Sequence, residues 1–276
     1  MALKRVLVAL GGSRYMDSAM AEAVQIARRN RAEIIGLAVM DETLVDPAQA
    51  APIGGGASAA DLRDDRRRRI EEAIDDAIGR FERVLADSGL PGRAERTDGD
   101  AQEVLVEAMK LADLSIIGIR HAFDYGTVDH ADDFIARVAT ASNRPIIAMP
   151  EGARPVSKVL VAYDGSMASA NALRSFTTLR AFDPSLIRLV YCRDDESDPD
   201  AILAEGRGYL ELHGYTVETA VLEDPPSTAI LAEATDIEAD LVVMGAVGRR
   251  GLSRLLAGDT AASLLETSSV PLFLRR

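Results

Sequence analysis

An internal repeat limits the folds that this chain of 276 residues can adopt. The run RVLVALGGS at 5–13 reappears as KVLVAYDGS at 158–166, which is 153 positions later. Two further pairs of segments match in the same order: ADLSIIG (112–118) with ADLVVMG (239–245), and NRPIIAM (143–149) with SVPLFL (269–274). Three ordered matches predict two copies of one domain, each of about 140 residues and large enough to bury a core.

Each half alternates short β-branched runs with longer amphipathic stretches, which is typical of parallel strands joined by crossover helices. We therefore predict an α/β fold of two tandem domains, 1–150 and 156–276, each a five-stranded, doubly wound, Rossmann-like parallel sheet. Two prolines and a glycine at 150–155 indicate a short linker. In the second half, strands are predicted near these positions: 157–163, 186–191, 215–221, 240–244 and 271–275.

The first half contains an irregular stretch followed by a charged one. Residues 46–60 include two prolines and three consecutive glycines, which predict a mobile loop, and 61–88 predict a long helix. Four arginines at 66–69 would by themselves suggest nucleic-acid binding. Seven acidic residues of the same helix lie at pairing distance, however, and favour a solvated, self-neutralising face.

Charge and cysteine content narrow the expected partners and compartment. The formal net charge of -13 would repel nucleic acid and acidic membrane surfaces, so neither is an expected partner. No apolar run approaches the roughly 18 residues of a membrane span, and the first residues do not resemble a signal peptide. Cys192 is the only cysteine, which excludes an intramolecular disulfide. We expect a cytoplasmic protein.

Glycine-containing turns in the second half are the candidate ligand-binding elements. Open parallel sheets bind ligands at the carboxyl ends of strands, where the strand order changes direction. The first predicted strand runs into the turn 164–166, and the fourth runs into Gly245, two residues, Gly248, nine residues and Gly258. Glycine lets backbone N–H groups approach an anion, and the N-terminus of the last helix favours phosphate.

This spacing resembles that of the universal stress protein family, whose nucleotide-binding members carry the same three glycines followed by serine or threonine. The resemblance covers both halves and implies a fold like that of the adenine nucleotide alpha hydrolases. It also implies a bound adenine nucleotide, AMP, ADP or ATP, with Mg²⁺ as a companion ion. The implied site residues all lie in the second half: Asp164, Gly165, Ser166, Val190, Cys192, Gly245, Gly248, Arg249, Gly258, Asp259 and Thr260.

The resemblance gives these residues separate roles. Asp164 would border the adenine and ribose, the backbone from Val190 to Cys192 would meet the base, and the glycines would cradle the phosphates. Asp259 departs from the family pattern, because it stands where a hydroxyl is expected and Thr260 comes one residue later. Its carboxylate would repel a triphosphate unless it turns away or a metal ion bridges the two, while Arg249 would offset it.

The same residues also have ordinary structural explanations. Strand-end glycines are often turn residues, Asp259 is a natural helix N-cap, and a lone Cys192 is commonly a small buried hydrophobe.

The first half lacks the glycine pattern. Gly11 replaces the aspartate, His121 stands opposite Gly248, and the segment matching Gly258 reads HADD at 130–133. Side chains and negative charge would disfavour a polyphosphate here. A metal site built from His121, His130 and nearby carboxylates is an alternative, but its spacing fits no recognised ligand rule. We expect the first half to be a structural or regulatory partner.

The sequence contains no GxSxG, Walker lysine or HExxH motif that would nominate a catalytic centre. Three hypotheses follow: a nucleotide-binding stress or signalling module, a ligand-free tandem scaffold acting through protein contacts, and a slow ATPase or related enzyme. Fold analogy alone does not separate them. The resemblance further implies that domains pair through antiparallel last strands, here 145–149 with 271–274 within one chain, or between chains in a homodimer.

Overall fold

The structure is a computed structural model and describes residues 3–45, 56–120, 122–123, 125, 133–152, 154–193, 198–246 and 260–276. The first half contains these elements: β1 Arg5–Ala9, α1 Arg14–Asn30, β2 Glu33–Met40, α2 Glu42–Val45, α3 Gly56–Ser88, β3 Gly92–Asp98, α4 Ala101–Met109, β4 Leu114–Gly118, α5 Phe134–Ala141 and β5 Ile146–Met149. The second half contains these: β6 Lys158–Ala162, α6 Met167–Leu179, β7 Leu186–Cys192, α7 Pro199–Leu212, β8 Val217–Leu222, α8 Pro226–Asp236, β9 Leu241–Gly245, α9 Thr260–Thr267 and β10 Leu272–Arg275.

All these strands form one sheet in the order β3-β2-β1-β4-β5-β10-β9-β6-β7-β8. Neighbouring strands within each half are parallel, which confirms the predicted doubly wound α/β fold. The halves meet where β5 and β10 pair antiparallel, with Phe273 opposite Ile147. The expected pairing of the two closing strands within one chain is therefore present.

The repeated Ala-Asp-Leu segments have the same structural role in both halves. The Asp113 carboxylate accepts the backbone N–H of Arg5 at 3.0 Å, and the Asp240 carboxylate accepts that of Lys158 at 3.0 Å. Each aspartate thus fixes the amino end of the central strand of its half. Its retention in both copies reflects folding, because this end of the sheet lies opposite the candidate site.

The predicted element boundaries hold closely in the second half, where each strand lies within two residues of its prediction. The first half needs one correction. Helix α3 begins at Gly56, so 56–60 are helical rather than part of the predicted loop, and 46–55 lie outside the described residues. Three of the residues at 57–60 are alanine, the strongest helix former, which explains the earlier start.

Ion pairs account for part of the arginine run in α3. Arg67 pairs with Glu42 of α2, and Arg68 pairs with Asp65 one turn earlier in the same helix. The Arg68–Asp65 pair agrees with the predicted self-neutralising face, whereas Arg67 pairs outside its own helix. No helix of the described part of the chain is both long enough and apolar enough to span a bilayer.

The two halves fill the space between sheet and helix in opposite ways. In the first half, Gly36 of β2 makes room for the ring of Phe81, which would lie 2.7 Å from a Cβ added to that glycine. In the second half, Leu189 occupies the matching strand position, and the small residue is Gly206 of α7. A Cβ on Gly206 would meet the Tyr163 ring at 3.0 Å. Each half therefore has its own complementary packing between sheet and helix.

Candidate functional site

The turn after β6 lies where the strand order of the second half changes direction, since β7 flanks β6 on one side and β9 on the other. One Asp164 carboxylate oxygen accepts the N–H of Ser166 at 2.9 Å. Gly165 between them has φ of 73°, a conformation that favours glycine. Ser166 caps α6 by accepting the N–H of Ser169 at 3.2 Å. The turn thus fixes a half-buried carboxylate at the predicted edge of the sheet.

The end of β7 lies beside this carboxylate. The Val190 carbonyl accepts the N–H of Tyr163 at 2.9 Å, so that oxygen already has a partner inside the sheet. Cys192, two residues further, is half-buried. Burial, and secondarily the nearby charge of Asp164, raises the pKa of the Cys192 thiol to about 11. The thiol is therefore protonated at neutral pH and is a poor nucleophile.

Gly245 at the end of β9 has a packing role. A Cβ at this position would lie 2.8 Å from the Ser169 nitrogen and 2.9 Å from the Ala168 carbonyl carbon. The glycine therefore lets the first turn of α6 approach the strand end closely. This requirement exists without any ligand, so Gly245 by itself is not an argument for phosphate binding.

The remaining predicted residues divide into two groups. Thr260 is half-buried and is the first described residue of α9. Four predicted site residues lie outside the described residues: Gly248, Arg249, Gly258 and Asp259.

In the first half, backbone occupies the place that corresponds to the Asp164 side chain. A Cβ on Gly11 would lie 2.0 Å from the Ala122 carbonyl oxygen, so no side chain fits there. Asp133 is exposed and pairs with Arg137. His121, His130 and three nearby aspartates (Asp124, Asp129 and Asp132) lie outside the described residues. Among those described, no group of three or more potential metal ligands comes together.

Tyr125 is a residue of this edge that the sequence analysis did not single out. Its side chain is 8% exposed, and its hydroxyl accepts the N–H of Val39 at 3.0 Å. The sequence offers only one indirect signal, which is the glycine at position 11 where the repeat has aspartate.

A family comparison identifies the type of protein. A model of the universal stress protein family matches residues 2–122 and 155–276. The chain belongs to the universal stress protein family. This confirms the resemblance found in the sequence and the presence of tandem family domains.

Curated relatives and solved structures agree with this assignment. Universal stress protein Slr1230 of Synechocystis is 27% identical over 161 residues, covering 58% of this chain and 56% of that protein. Universal stress protein MJ0531 of Methanocaldococcus jannaschii is 36% identical over 58 residues, covering 21% of this chain and 34% of that protein. The matches thus span about half or less of each relative's length.

Two solved structures share the fold over nearly the full chain. A universal stress protein from Archaeoglobus fulgidus has a TM-score of 0.71 at 19% identity, with 98% of each chain covered. A putative universal stress protein from Pseudomonas aeruginosa has a TM-score of 0.62 at 16% identity, covering 99% of this chain and 93% of that one. At these identities the likeness concerns the fold.

Proposed function

We propose that the second half binds an adenine nucleotide, AMP, ADP or ATP, and that the protein acts as a regulatory or signalling module in the stress response. The observation that carries the proposal is the position of Asp164. Its carboxylate is held by the Ser166 N–H at a strand end, next to Cys192 on the neighbouring strand. A fixed carboxylate at a switch point is suited to accept hydrogen bonds from ribose hydroxyls.

The phosphate side of the proposed site is the start of α9. The described part of helix α9 starts at Thr260, where the helix dipole would favour an anion, and the threonine hydroxyl adds a further donor. Gly248 and Gly258 complete the proposed cradle by the family spacing. A Mg²⁺ ion bound with the phosphates would offset the negative charge of Asp259.

The first experiment asks whether nucleotide accompanies the protein. Purified full-length chain is denatured, and the released small molecules are identified by mass spectrometry. We expect AMP, ADP or ATP in proportion to the protein. Ligand-free protein is then titrated with each nucleotide by calorimetry, so that loss of ligand during purification is not mistaken for absence of a site.

Substitution of Asp164 tests the carrying observation. We expect Asp164→Ala to weaken nucleotide binding roughly tenfold to hundredfold, because it removes a charged hydrogen-bond acceptor. Asp183→Ala is the matched control, since Asp183 is an exposed carboxylate of the same domain that precedes β7 and so lies at the opposite end of the sheet. Equal affinities of the two variants would contradict the proposed site.

The packing of Gly245 against α6 gives the ligand-free scaffold a specific argument, because part of the glycine pattern is then explained by folding alone. If no nucleotide is carried and none binds, the scaffold is the better description. Phosphate release above a protein-free blank, lost in Asp164→Ala, would instead identify a slow ATPase.

A further inference from the structure

We propose that the Tyr125 side chain fills the carboxyl edge of the sheet in the first half, in the place of a planar ligand. Removing this side chain would then open a site for phenol-like aromatic molecules. The ring spans the carboxyl ends of β1 and β2. At one end, the Tyr125 N–H donates to the Gly11 carbonyl at 3.3 Å, and a ring carbon lies 3.6 Å from where a Cβ on Gly12 would be. At the other end, the hydroxyl accepts the Val39 N–H.

The Tyr125 hydroxyl accepts a hydrogen bond from a backbone N–H, that of Val39, which has no strand partner in the described part of the sheet. Leu10, just beyond β1, donates its N–H to the Leu37 carbonyl at 2.8 Å. Alternate residues of a strand direct their backbone groups to the same side, so Val39 faces the same way as Leu37 but lies beyond the paired end of β1. A buried amide without a partner is costly, and the Tyr125 hydroxyl provides that partner.

The surrounding backbone is shaped for this arrangement. Tyr125 has φ of 46°, in the left-handed region that residues with a side chain rarely adopt. The Ala122 carbonyl packs so closely on Gly11 that only glycine fits beneath it. The positive φ is unfavourable where the ring enters this edge of the sheet, which indicates that the ring's contacts compensate for it.

The Tyr125 ring lies beside first-half residues that the internal repeat aligns with the proposed nucleotide site of the second half. Gly11 and Val39 lie 153 positions before Asp164 and Cys192. The first half thus fills, with its own aromatic side chain, the edge at which the second half is proposed to hold a base. The comparison with a bound base rests on the proposed function, whereas the contacts of Tyr125 lie within the first half and are tested without nucleotide.

The ligand class follows from what the tyrosine ring provides. A replacement must be flat, must have the size of one aromatic ring, and must carry a hydrogen-bond acceptor that reaches the Val39 amide. The probe p-cresol is the tyrosine side chain itself. Toluene has a similar shape without the acceptor.

The test uses the full chain with Tyr125→Gly, which removes the ring and also suits the positive φ. We expect p-cresol to raise the Tm of this variant saturably, toluene to raise it less, and neither to raise the Tm of the wild type. The matched control is Tyr209→Gly, which removes a half-buried tyrosine of the second half and should show no p-cresol effect. A p-cresol effect in both variants, or in neither, would overturn the proposal.

A second variant keeps the test decisive if Tyr125→Gly does not fold. Tyr125→Phe retains the ring and deletes the hydroxyl, so the Val39 amide should exchange with solvent about tenfold faster. The Leu10 amide, which donates to the Leu37 carbonyl, should keep its protection. Unchanged exchange at Val39 would overturn the proposal, and the readout is independent of nucleotide in the second half.

Discussion

Glu22 of α1 is a buried carboxyl at 8% exposure, and burial raises its pKa above the ordinary 4.5, with Arg29 acting in the opposite direction. Because its pKa is higher in the folded state, this group stabilises the fold at a pH below its unfolded-state pKa. That contribution is lost as the pH rises through the folded-state pKa. Ionised Glu22 therefore destabilises the fold at neutral pH.

We expect Glu22→Gln to raise the Tm at pH 7.5 and to give a smaller gain at pH 4, where the carboxyl is mostly protonated in both states. Thermal unfolding followed by circular dichroism measures this. Glu82→Gln is the control, because Glu82 is exposed on α3 and the same substitution there should have little effect at either pH. An equal gain for Glu22→Gln at both pH values would contradict the assignment to ionisation.

At the residue scale, the sequence indicates the local geometry around Asp164 but not the long-range contacts of Gly245 and Tyr125. Asp164 could be placed because the repeat aligns a strand end with a turn, and turn chemistry is local. The spacing predicts phosphate contact at Gly245, which stays a prediction, but it does not indicate the packing against α6, which is remote in sequence. The contact of Tyr125 with Val39 is not predictable for the same reason, since it links residues 86 positions apart.

At the element scale, helix α7 contains two glycines in different surroundings. A Cβ on Gly208 would meet no atom within 4 Å, whereas one on Gly206 would approach the Tyr163 ring at 3.0 Å and Leu189 at 3.1 Å. Glycine inside a helix costs about 0.5–1 kcal/mol relative to alanine. The gain from alanine is thus available without crowding only at Gly208.

We expect Gly208→Ala to raise the free energy of unfolding by about 0.5–1 kcal/mol, measured by urea denaturation. Gly206→Ala should gain less, because the ring of Tyr163 must move to admit the methyl group. Equal gains at the two positions would show that the contact with Tyr163 does not limit the packing of α7 on the sheet.

The elements themselves were largely predictable, because buried parallel strands appear as continuous apolar runs and the crossover helices between them are amphipathic. The strands of the second half follow this pattern to within two residues. The start of α3 was predicted less well, since a glycine run indicates a loop while the alanines after it favour helix. The sequence alone does not explain why β2 has Gly36 where β7 has Leu189. The reason lies in the helices that pack on these two positions.

At the scale of the whole molecule, the antiparallel contact of β5 and β10 turns two five-stranded sheets into one. Ile147 and Phe273, which face each other across it, are both fully buried, and Phe273 also packs edge-on against Phe176. Helices α5 and α9 contact each other beside this junction. Separating the halves would expose an apolar strand edge, and such edges pair readily with another strand.

We therefore expect a fragment of residues 155–276 to form dimers through β10. An antiparallel pair of strands is compatible with a twofold axis, so the β10 strand of one fragment can take the place of β5 beside the β10 strand of another. In the full chain that edge is already occupied by β5. Sedimentation velocity over a range of concentrations distinguishes the two cases, and circular dichroism verifies that the fragment is folded. Adding residues 1–154 should convert the fragment dimers into a one-to-one complex, since β5 restores the native pair. A folded fragment that stays monomeric and ignores the first half would show that the junction holds only by virtue of the covalent linker.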